Sequence, residues 1–288
     1  MSRPRSSRFS PHLVDPAHLL FLLVGRQRLL GGLLEGYRDA VQAGGARFEV
    51  LLGPRGAGKS HLMALLAEQL RTDSVIGAGA VVCALDEEQH LSSLLDLLYR
   101  VLKRMPDQAG FPPAAEQAER LRESLGADSE DRAVRMIRDR LQGRSLVLLI
   151  ENLDQAMEVL GKKGQGRLRA ILNDEQRWSV LAASQTAGAP LKDKRFPFYR
   201  MFNEHALPML TAEECQQMLL RLAEHHGEGS LQGHLSSVEG TARVRAIHHM
   251  TGGSPRAMAL IFPYLSRREH DALETLFFDL AEELTPYY

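Results

Sequence analysis

Residues 48–60 read FEVLLGPRGAGKS, and this stretch decides the fold class. Its first five residues are mostly apolar, as in a short buried strand, and residues 61–70 continue with leucines at helical spacing. Between strand and helix, Gly53 to Ser60 fits the phosphate-binding pattern G-x-x-x-x-G-K-[ST]. The sequence therefore predicts that phosphate groups bind at the N-terminus of this helix, where backbone N–H groups and the helix dipole favour anions.

The residue types of this loop match the chemistry of a nucleoside triphosphate with Mg²⁺. Glycines allow backbone N–H groups to close around the β-phosphate. Lys59 is placed to reach the β- and γ-phosphates, and Ser60 to bring its hydroxyl to Mg²⁺. We therefore predict ATP and Mg²⁺ as cofactors. The residues expected around the phosphates are Gly53, Pro54, Arg55, Gly56, Ala57, Gly58, Lys59, Ser60 and His61.

Strand and helix patterns alternate on both sides of this loop. After the strand at 48–52, further strands are predicted at 80–85, 145–150 and 179–184. Helices are predicted at 26–43, 61–70, 91–104, 114–124, 132–141 and 165–173. Such alternation predicts an α/β fold whose parallel strands are joined by right-handed crossovers.

The pattern changes after Pro208, where helices follow one another without strands. These helices are predicted at 212–225, 236–251, 255–266 and 269–284. Thr211 is a suitable N-cap for the first of these helices, because Glu214 follows three residues later. We therefore predict three parts: a flexible N-terminal tail at 1–18, a nucleotide-binding base domain at 19–210 with the P-loop and parallel sheet, and an all-helical subdomain at 211–288.

Composition and charge narrow the class of protein. A chain of 288 residues with 44% hydrophobic and 25% charged residues is typical of a globular protein, and its net charge of −1 does not indicate general binding to polyanions. Basic side chains are concentrated locally, with nine basic and three acidic residues in 162–200. The two cysteines suit a reducing compartment, and the sequence shows no secretion signal or membrane span. We therefore expect a cytoplasmic protein that does not enter membranes.

An acidic segment follows the predicted strand 145–150. P-loop enzymes place acidic groups near the metal and the attacking water. Glu151 occupies the metal position, whereas Asn152 stands where a catalytic glutamate is usual. Asparagine can orient a water molecule but cannot take its proton. Either Asp154 or Glu151 substitutes as the base, or hydrolysis is slow.

Four features together resemble the AAA+ ATPases, and within them the initiator-type group related to origin-recognition and replication-loading proteins, with STAND-type signalling ATPases as neighbours. The P-loop and Glu151 stand where this family has its Walker A and B elements. The segment Leu23-Val24-Gly25-Arg26 is similar to the box that lines the adenine. Segment 183–186 ends a strand with the polar Gln185, and segment 251–256 is similar to the family's Gly-Gly-x-Pro-Arg lid motif. The resemblance covers residues 19–285.

The resemblance assigns roles to further residues. It implies that Val24, Gly25 and Arg26 line the adenine, and that Gln185 and Arg256 sense the γ-phosphate. Pro255 also supports this role physically, because proline fixes the first turn of a helix from which the next residue projects toward a docked anion. An arginine finger is expected from a neighbouring subunit, and Arg195 is our candidate, although a solvated loop explains it equally well. The catalytic candidates are Lys59, Glu151, Asn152, Asp154, Gln185, Arg195 and Arg256, with Ser60 and Glu151 as metal ligands.

Three functional hypotheses follow. The first is an ATPase that couples nucleotide state to oligomerisation and DNA-associated activity in replication, transposition or mobile-element defence. The second is a STAND-type switch without DNA binding, and the third is a nucleotide-binding regulator without turnover. Expected partners are ATP or ADP and further copies of the chain, with DNA under the first hypothesis. Initiator-type relatives carry a winged-helix domain after the lid, and none is recognisable here, so either that domain is missing or a separate chain is the effector.

Overall fold

The computed structural model of the protein describes residues 14–85, 91–123, 126 and 128–265. The predicted helix 269–284 and the first part of the predicted tail lie outside these residues. Helix α1 begins at Pro16, so residues 16–18, at the end of the predicted tail, are helical.

The strands of the described residues form one five-stranded sheet. They are β1 Phe48–Leu52, β2 Ala80–Leu85, β3 Ser145–Ile150, β4 Trp178–Ser184 and β5 Asn203–Ala206. The order is β2-β3-β4-β1-β5, and every neighbouring pair is parallel. The α/β fold class is confirmed. The prediction of four strands was wrong, because β5 has the polar sequence NEHA at the sheet edge and carries no hydrophobic pattern.

Helices lie before, between and after the strands in sequence. Up to β5, they are α1 Pro16–Leu22, α2 Gln27–Ala43, α3 Lys59–Thr72, α4 Ser74–Gly79, α5 Leu94–Arg104, α6 Ala114–Glu123, α7 Ser129–Leu141, α8 Leu153–Asp174 and α9 Gly188–Lys192. After β5 come α10 Ala212–His225, α11 Gly229–Leu235, α12 Val238–Thr251 and α13 Pro255–Leu265.

Two helices differ from the prediction. Helix α8 begins at Leu153 rather than at 165, and Gly161 interrupts it with φ 55° and ψ −179°, which hid its first half from the sequence pattern. The predicted helix 236–251 is α12, which Ser237 caps by accepting a hydrogen bond from Gly240 N–H, whereas the short helix α11 before it was not predicted.

The chain divides into two compact units. We call residues 14–28, 54–62 and 207–265 the P-loop unit, and residues 29–53 and 63–206 the sheet unit, for the parts that the structure describes. The first turn of α3 belongs to the P-loop unit, and the rest of α3 to the sheet unit. The P-loop therefore groups with α1 and with the helices after β5.

The two units have separate apolar cores. In the sheet unit, all residues of β3 and β4 are buried, as expected for strands covered on both faces. In the P-loop unit, α10 lies at the centre, and its Cys215 and Leu219 are fully buried beside Met258 of α13. Thr211 and Glu214 form a capping box at the start of α10, which confirms that predicted cap.

Candidate nucleotide site

The P-loop links the end of β1 to the start of α3. Gly56 and Gly58 have φ values of +77° and +91°, a region in which a residue with a Cβ is strained. Lys59 Nζ donates a 3.0 Å hydrogen bond to Pro54 O, and Ala57 N–H bonds the same oxygen at 3.3 Å. The loop thus turns back on itself and leads into the helix N-terminus, where backbone N–H groups lack helical partners. This geometry and the lysine fit a polyphosphate.

The Gly-Gly-Ser-Pro-Arg segment lies against the P-loop within the P-loop unit. Ser254 Oγ donates to Gly56 O at 3.4 Å. A Cβ built on Gly56 would lie 3.9 Å from Arg256 Cβ, and one built on Gly58 would lie 3.9 Å from Pro255 Cγ. The structure therefore brings together two motifs that are about 200 residues apart in sequence.

The Val24-Gly25-Arg26 segment is bound to the helical part of the same unit. Val24 is buried in the α10 core at 4% exposure. Arg26 donates to Pro208 O, and Gly25 has φ +69°. A Cβ built on Gly25 would overlap Glu214 Oε1 and lie 2.6 Å from Glu214 Cδ. The positive φ therefore favours glycine here, and a side chain would also have to displace the Glu214 carboxylate.

His61 connects the P-loop to α1. Its Nε2 lies 2.8 Å from Leu19 O, which requires a proton on Nε2. Burial lowers the pKa of His61, so the neutral ring is favoured. On the same unit, His18 lies 4.1 Å from the ring of His225, and burial followed by the charges of His225, His226 and His61 lowers the pKa of His18.

The remaining predicted residues follow strands of the sheet unit. Glu151 and Asn152 follow β3, and Gln185 follows β4. Because β3, β4 and β1 are parallel neighbours, their carboxyl ends share the edge at which Gly53 N–H bonds Ser184 O at 3.3 Å and the P-loop begins. The sheet thus places these side chains at the edge where ligands bind in open α/β sheets.

Two features of this edge bear on the chemistry. Asn152 has φ 54° and ψ 53°, a left-handed conformation that asparagine tolerates better than most residues. Asp154 lies in the first turn of α8, and its Oδ1 is buried without a hydrogen-bond partner among the described residues. Mg²⁺ prefers oxygen ligands, and the carboxylate of Glu151 is of that type. No cluster of three or more histidine, cysteine, aspartate or glutamate side chains suited to a metal occurs among the described residues.

Arg195 lies in an exposed part of the sheet unit. Its side chain is 76% exposed and pairs with Asp193 at 2.5 Å. The guanidinium holds the pKa of Asp193 at about 2. The neighbouring Lys192 pairs with Glu204 at 2.6 Å. Two of the basic side chains in this region are therefore already paired with acids.

The structure also identifies residues that the sequence motifs did not single out. Arg221 of α10 donates to Phe21 O and Leu23 O, both at 2.7 Å, and so fixes the segment before Val24. Ser254 touches the P-loop. A serine directly before a proline is a recognised helix-start signal and could have indicated Ser254, whereas nothing in the sequence indicates Arg221.

Comparisons with known proteins bear on the family and on the fold. A family model described as an AAA ATPase domain matches residues 22–183, more than half of the chain. No curated protein matches the sequence. None of the described helices is long and apolar enough to cross a membrane.

Several solved structures share the fold. The ORC2 protein of Aeropyrum pernix, in ADPNP-ADP complexes, has a TM-score of 0.64 at 13% identity over 89% of this chain and 69% of its own. The Aeropyrum pernix ORC1 protein in complex with DNA has a TM-score of 0.63 at 14% identity, over 95% and 69%. The Drosophila ORC bound to DNA has a TM-score of 0.57 at 12% identity, over 99% and 68%. At these identities the likeness concerns the fold.

Proposed function

Because the chain belongs to the AAA ATPase domain family, we propose that it binds ATP with Mg²⁺, hydrolyses ATP slowly, and uses its nucleotide state to control self-association and a DNA-associated activity. The observation that carries this proposal is the contact of the P-loop with the Gly-Gly-Ser-Pro-Arg segment in one compact unit. Opposed cationic and N–H groups at such a contact suit a triphosphate. The domain bounds 19–210 and 211–288 remain part of this proposal.

The nucleotide lies, in this proposal, at the P-loop. Lys59 binds the β- and γ-phosphates, and Ser60 ligates Mg²⁺. Arg256, at the start of α13, binds the γ-phosphate and distinguishes ATP from ADP. Val24 and Arg26 line the adenine, and their binding to the helical part of the unit supports this assignment.

Hydrolysis requires the polar residues that follow β3 and β4. Mg²⁺ supplies charge neutralisation of the phosphates when it is bound. Glu151 holds the metal, Gln185 contacts the γ-phosphate, and Asn152 orients the attacking water. Since an amide cannot accept the water proton, turnover is slow unless Asp154 takes it. Asp154 Oδ1 is buried and has no hydrogen-bond partner in the described part of the chain, which supports such a role.

Self-association supplies the final charged group. Arginine fingers stabilise transition-state charge from a neighbouring subunit. Arg195 is exposed enough to reach another subunit, and it is our candidate. To reach another subunit, Arg195 must break its ion pair with Asp193. Because Arg195 is exposed, the free energy needed to break this pair is small.

One observation favours a switch without DNA binding. Three basic side chains of region 162–200 form ion pairs with acids. Arg195 pairs with Asp193, Lys192 with Glu204 and Arg167 with Asp131. Paired cations contribute less to counterion release on DNA than free cations do. Under this alternative, ATP gates assembly alone.

Nucleotide binding is tested by calorimetry with ATP and ADP. Lys59→Ala is expected to weaken both nucleotides by roughly 10–100-fold, the value of a charge-assisted hydrogen bond. Arg256→Ala is expected to weaken ATP more than ADP. Arg243→Ala, an exposed arginine of α12, is the control and should match wild type. Unchanged ATP affinity in both Lys59→Ala and Arg256→Ala contradicts the site.

Assembly and DNA binding are tested by size-exclusion chromatography with ATP or ADP, with and without duplex DNA. ATP-dependent assembly and an affinity for DNA that falls steeply with salt support the proposal. ATP-dependent assembly without DNA binding selects the switch. Rapid hydrolysis by dilute monomer that Lys59→Ala leaves unchanged contradicts both.

A further inference from the structure

We infer that Ser254 is a positioning residue that sets the place of Arg256 against the P-loop and thereby the preference for ATP over ADP. This inference rests on the proposed role of Arg256 at the γ-phosphate. Ser254 belongs to neither the P-loop nor the metal-binding residues, and it acts through contacts with the chain on both sides.

The first contact is with the P-loop. Ser254 Oγ lies 3.4 Å from Gly56 O, and a Cβ built on Gly56 would lie 2.6 Å from that hydroxyl oxygen. The hydroxyl therefore occupies the space that glycine leaves open at this point of the loop. A separation of 3.4 Å is long for an O–H···O hydrogen bond, so the bond strengthens if the loop and the segment approach by a few tenths of an ångström.

The second contact is with the helix that carries Arg256. Ala257 N–H donates to the Ser254 hydroxyl at 3.3 Å, and Met258 N–H donates to Ser254 O at 3.0 Å. Ser254 is therefore the N-cap of α13, and Arg256 lies in the first turn that this cap orders. One hydroxyl thus contacts both the P-loop and the helix start.

The opposite side of the segment is fixed. Leu210 N–H donates to Gly253 O at 2.9 Å, and a Cβ built on Gly253 would overlap Leu210 O. His248 Nε2 lies 3.0 Å from the same Leu210 oxygen. Because this hydrogen bond ties Gly253 to Leu210, the place of the α13 start is set by this anchor on one side and by the Ser254 contact with the P-loop on the other.

The consequence concerns discrimination between nucleotides. A γ-phosphate contact requires the Arg256 guanidinium at a fixed distance from the P-loop, whereas ADP has no group to meet it. Loss of the Ser254 hydroxyl should therefore weaken ATP more than ADP. A hydrogen bond of ordinary net strength corresponds to a roughly twofold to tenfold loss in the ratio of the two affinities.

Three substitutions separate this role from simple helix capping. Ser254→Gly removes the hydroxyl, yet glycine is nearly as good an N-cap as serine. Ser254→Ala removes the hydroxyl and the cap together, and Ser254→Thr retains both. For each full-length variant, calorimetry gives Kd for ATP and for ADP, and thermal unfolding gives Tm.

We expect the ATP-to-ADP affinity ratio to fall equally in Ser254→Gly and Ser254→Ala and to be restored in Ser254→Thr, while Tm falls mainly in Ser254→Ala. If Ser254→Gly keeps the wild-type ratio, or if the ratio follows Tm across the series, the positioning role is wrong. If Arg256→Ala still weakens ATP in that case, only this inference fails. If Arg256→Ala has no effect on ATP, the proposed function fails and this inference with it.

Discussion

Replacement of Gly25 by alanine should destabilise the P-loop unit through two separable effects. The first is backbone strain, because Gly25 has φ +69° and an alanine there costs about 1–2 kcal/mol. The second is the loss of space for Glu214, whose carboxylate would overlap the new Cβ. Glu214 Oε2 accepts the 2.9 Å hydrogen bond from Thr211 N–H in the capping box, so displacing it costs about 1 kcal/mol more. The expected total is about 2–3 kcal/mol.

Gly227 provides a matched control. It has the same φ of +69°, and a Cβ built on it meets no atom within 4 Å. Gly227→Ala should therefore cost only the strain of about 1–2 kcal/mol. Urea unfolding of both variants gives the two free energies of unfolding under the same conditions.

A double-mutant cycle isolates the contact with Glu214. In a Glu214→Ala background, Gly25→Ala should lose its additional cost and match Gly227→Ala, with a coupling energy of about 1 kcal/mol. Equal destabilisation by Gly25→Ala and Gly227→Ala in the wild-type background, or zero coupling, would refute the reasoning that displacement of Glu214 adds to the cost of a side chain at this position.

Three further predictions concern the sheet edge, acid sensitivity and a buried charge. Asn152→Glu should raise kcat by at least tenfold in a phosphate-release assay, because a positioned general base contributes about 10²–10⁴-fold, and an unchanged rate would exclude a water-contacting place for this side chain. Burial lowers the pKa of His18 and of His61 below 6.5, so the unfolded chain binds more protons than the folded chain near this pH. The free energy of unfolding should therefore fall as the pH drops below about 6.5. A free energy of unfolding, measured with urea, that stays constant between about pH 8 and 5 contradicts this. Glu49 is fully buried, and its carboxylate contacts Asn203, His205 and the partly exposed Arg47, so Glu49→Ala should cost about 1–3 kcal/mol by leaving these donors without their acceptor. A loss below about 0.5 kcal/mol in the same assay would show that these contacts are dispensable.

The part of the fold that the sequence predicts correctly is the part with uninterrupted apolar runs. Strands β3 and β4 are buried throughout, so their patterns are continuous and their bounds agree with prediction within one residue. Strand β5 pairs with β1 through its backbone and through contacts of Asn203 and His205 with Glu49, and its polar side chains give no hydrophobic signal. The first half of α8 was missed because Gly161 breaks the helical spacing.

The sequence indicates which residues belong to the candidate site, but it does not indicate which distant residues contact them. The spacing of the P-loop motif indicates which residues we expect to face phosphates, since backbone geometry and helix polarity act locally. The overlap of Gly25 with Glu214 and the hydrogen bond from Ser254 to Gly56 join residues almost 200 positions apart, and no local pattern encodes them. The grouping of the P-loop with the helices after β5 depends on such contacts.

This grouping has a consequence for protein synthesis. Hydrogen bonds that hold the P-loop unit together span 182, 198 and 200 residues, from Arg26 to Pro208, from Ser254 to Gly56 and from Arg221 to Phe21. While the ribosome is still translating the region before residue 207, the phosphate loop already exists without the helices that complete its surroundings. A growing chain should therefore reach its full affinity for nucleotide only when helices α10 to α13 have emerged from the exit tunnel, because contacts so distant in sequence form late.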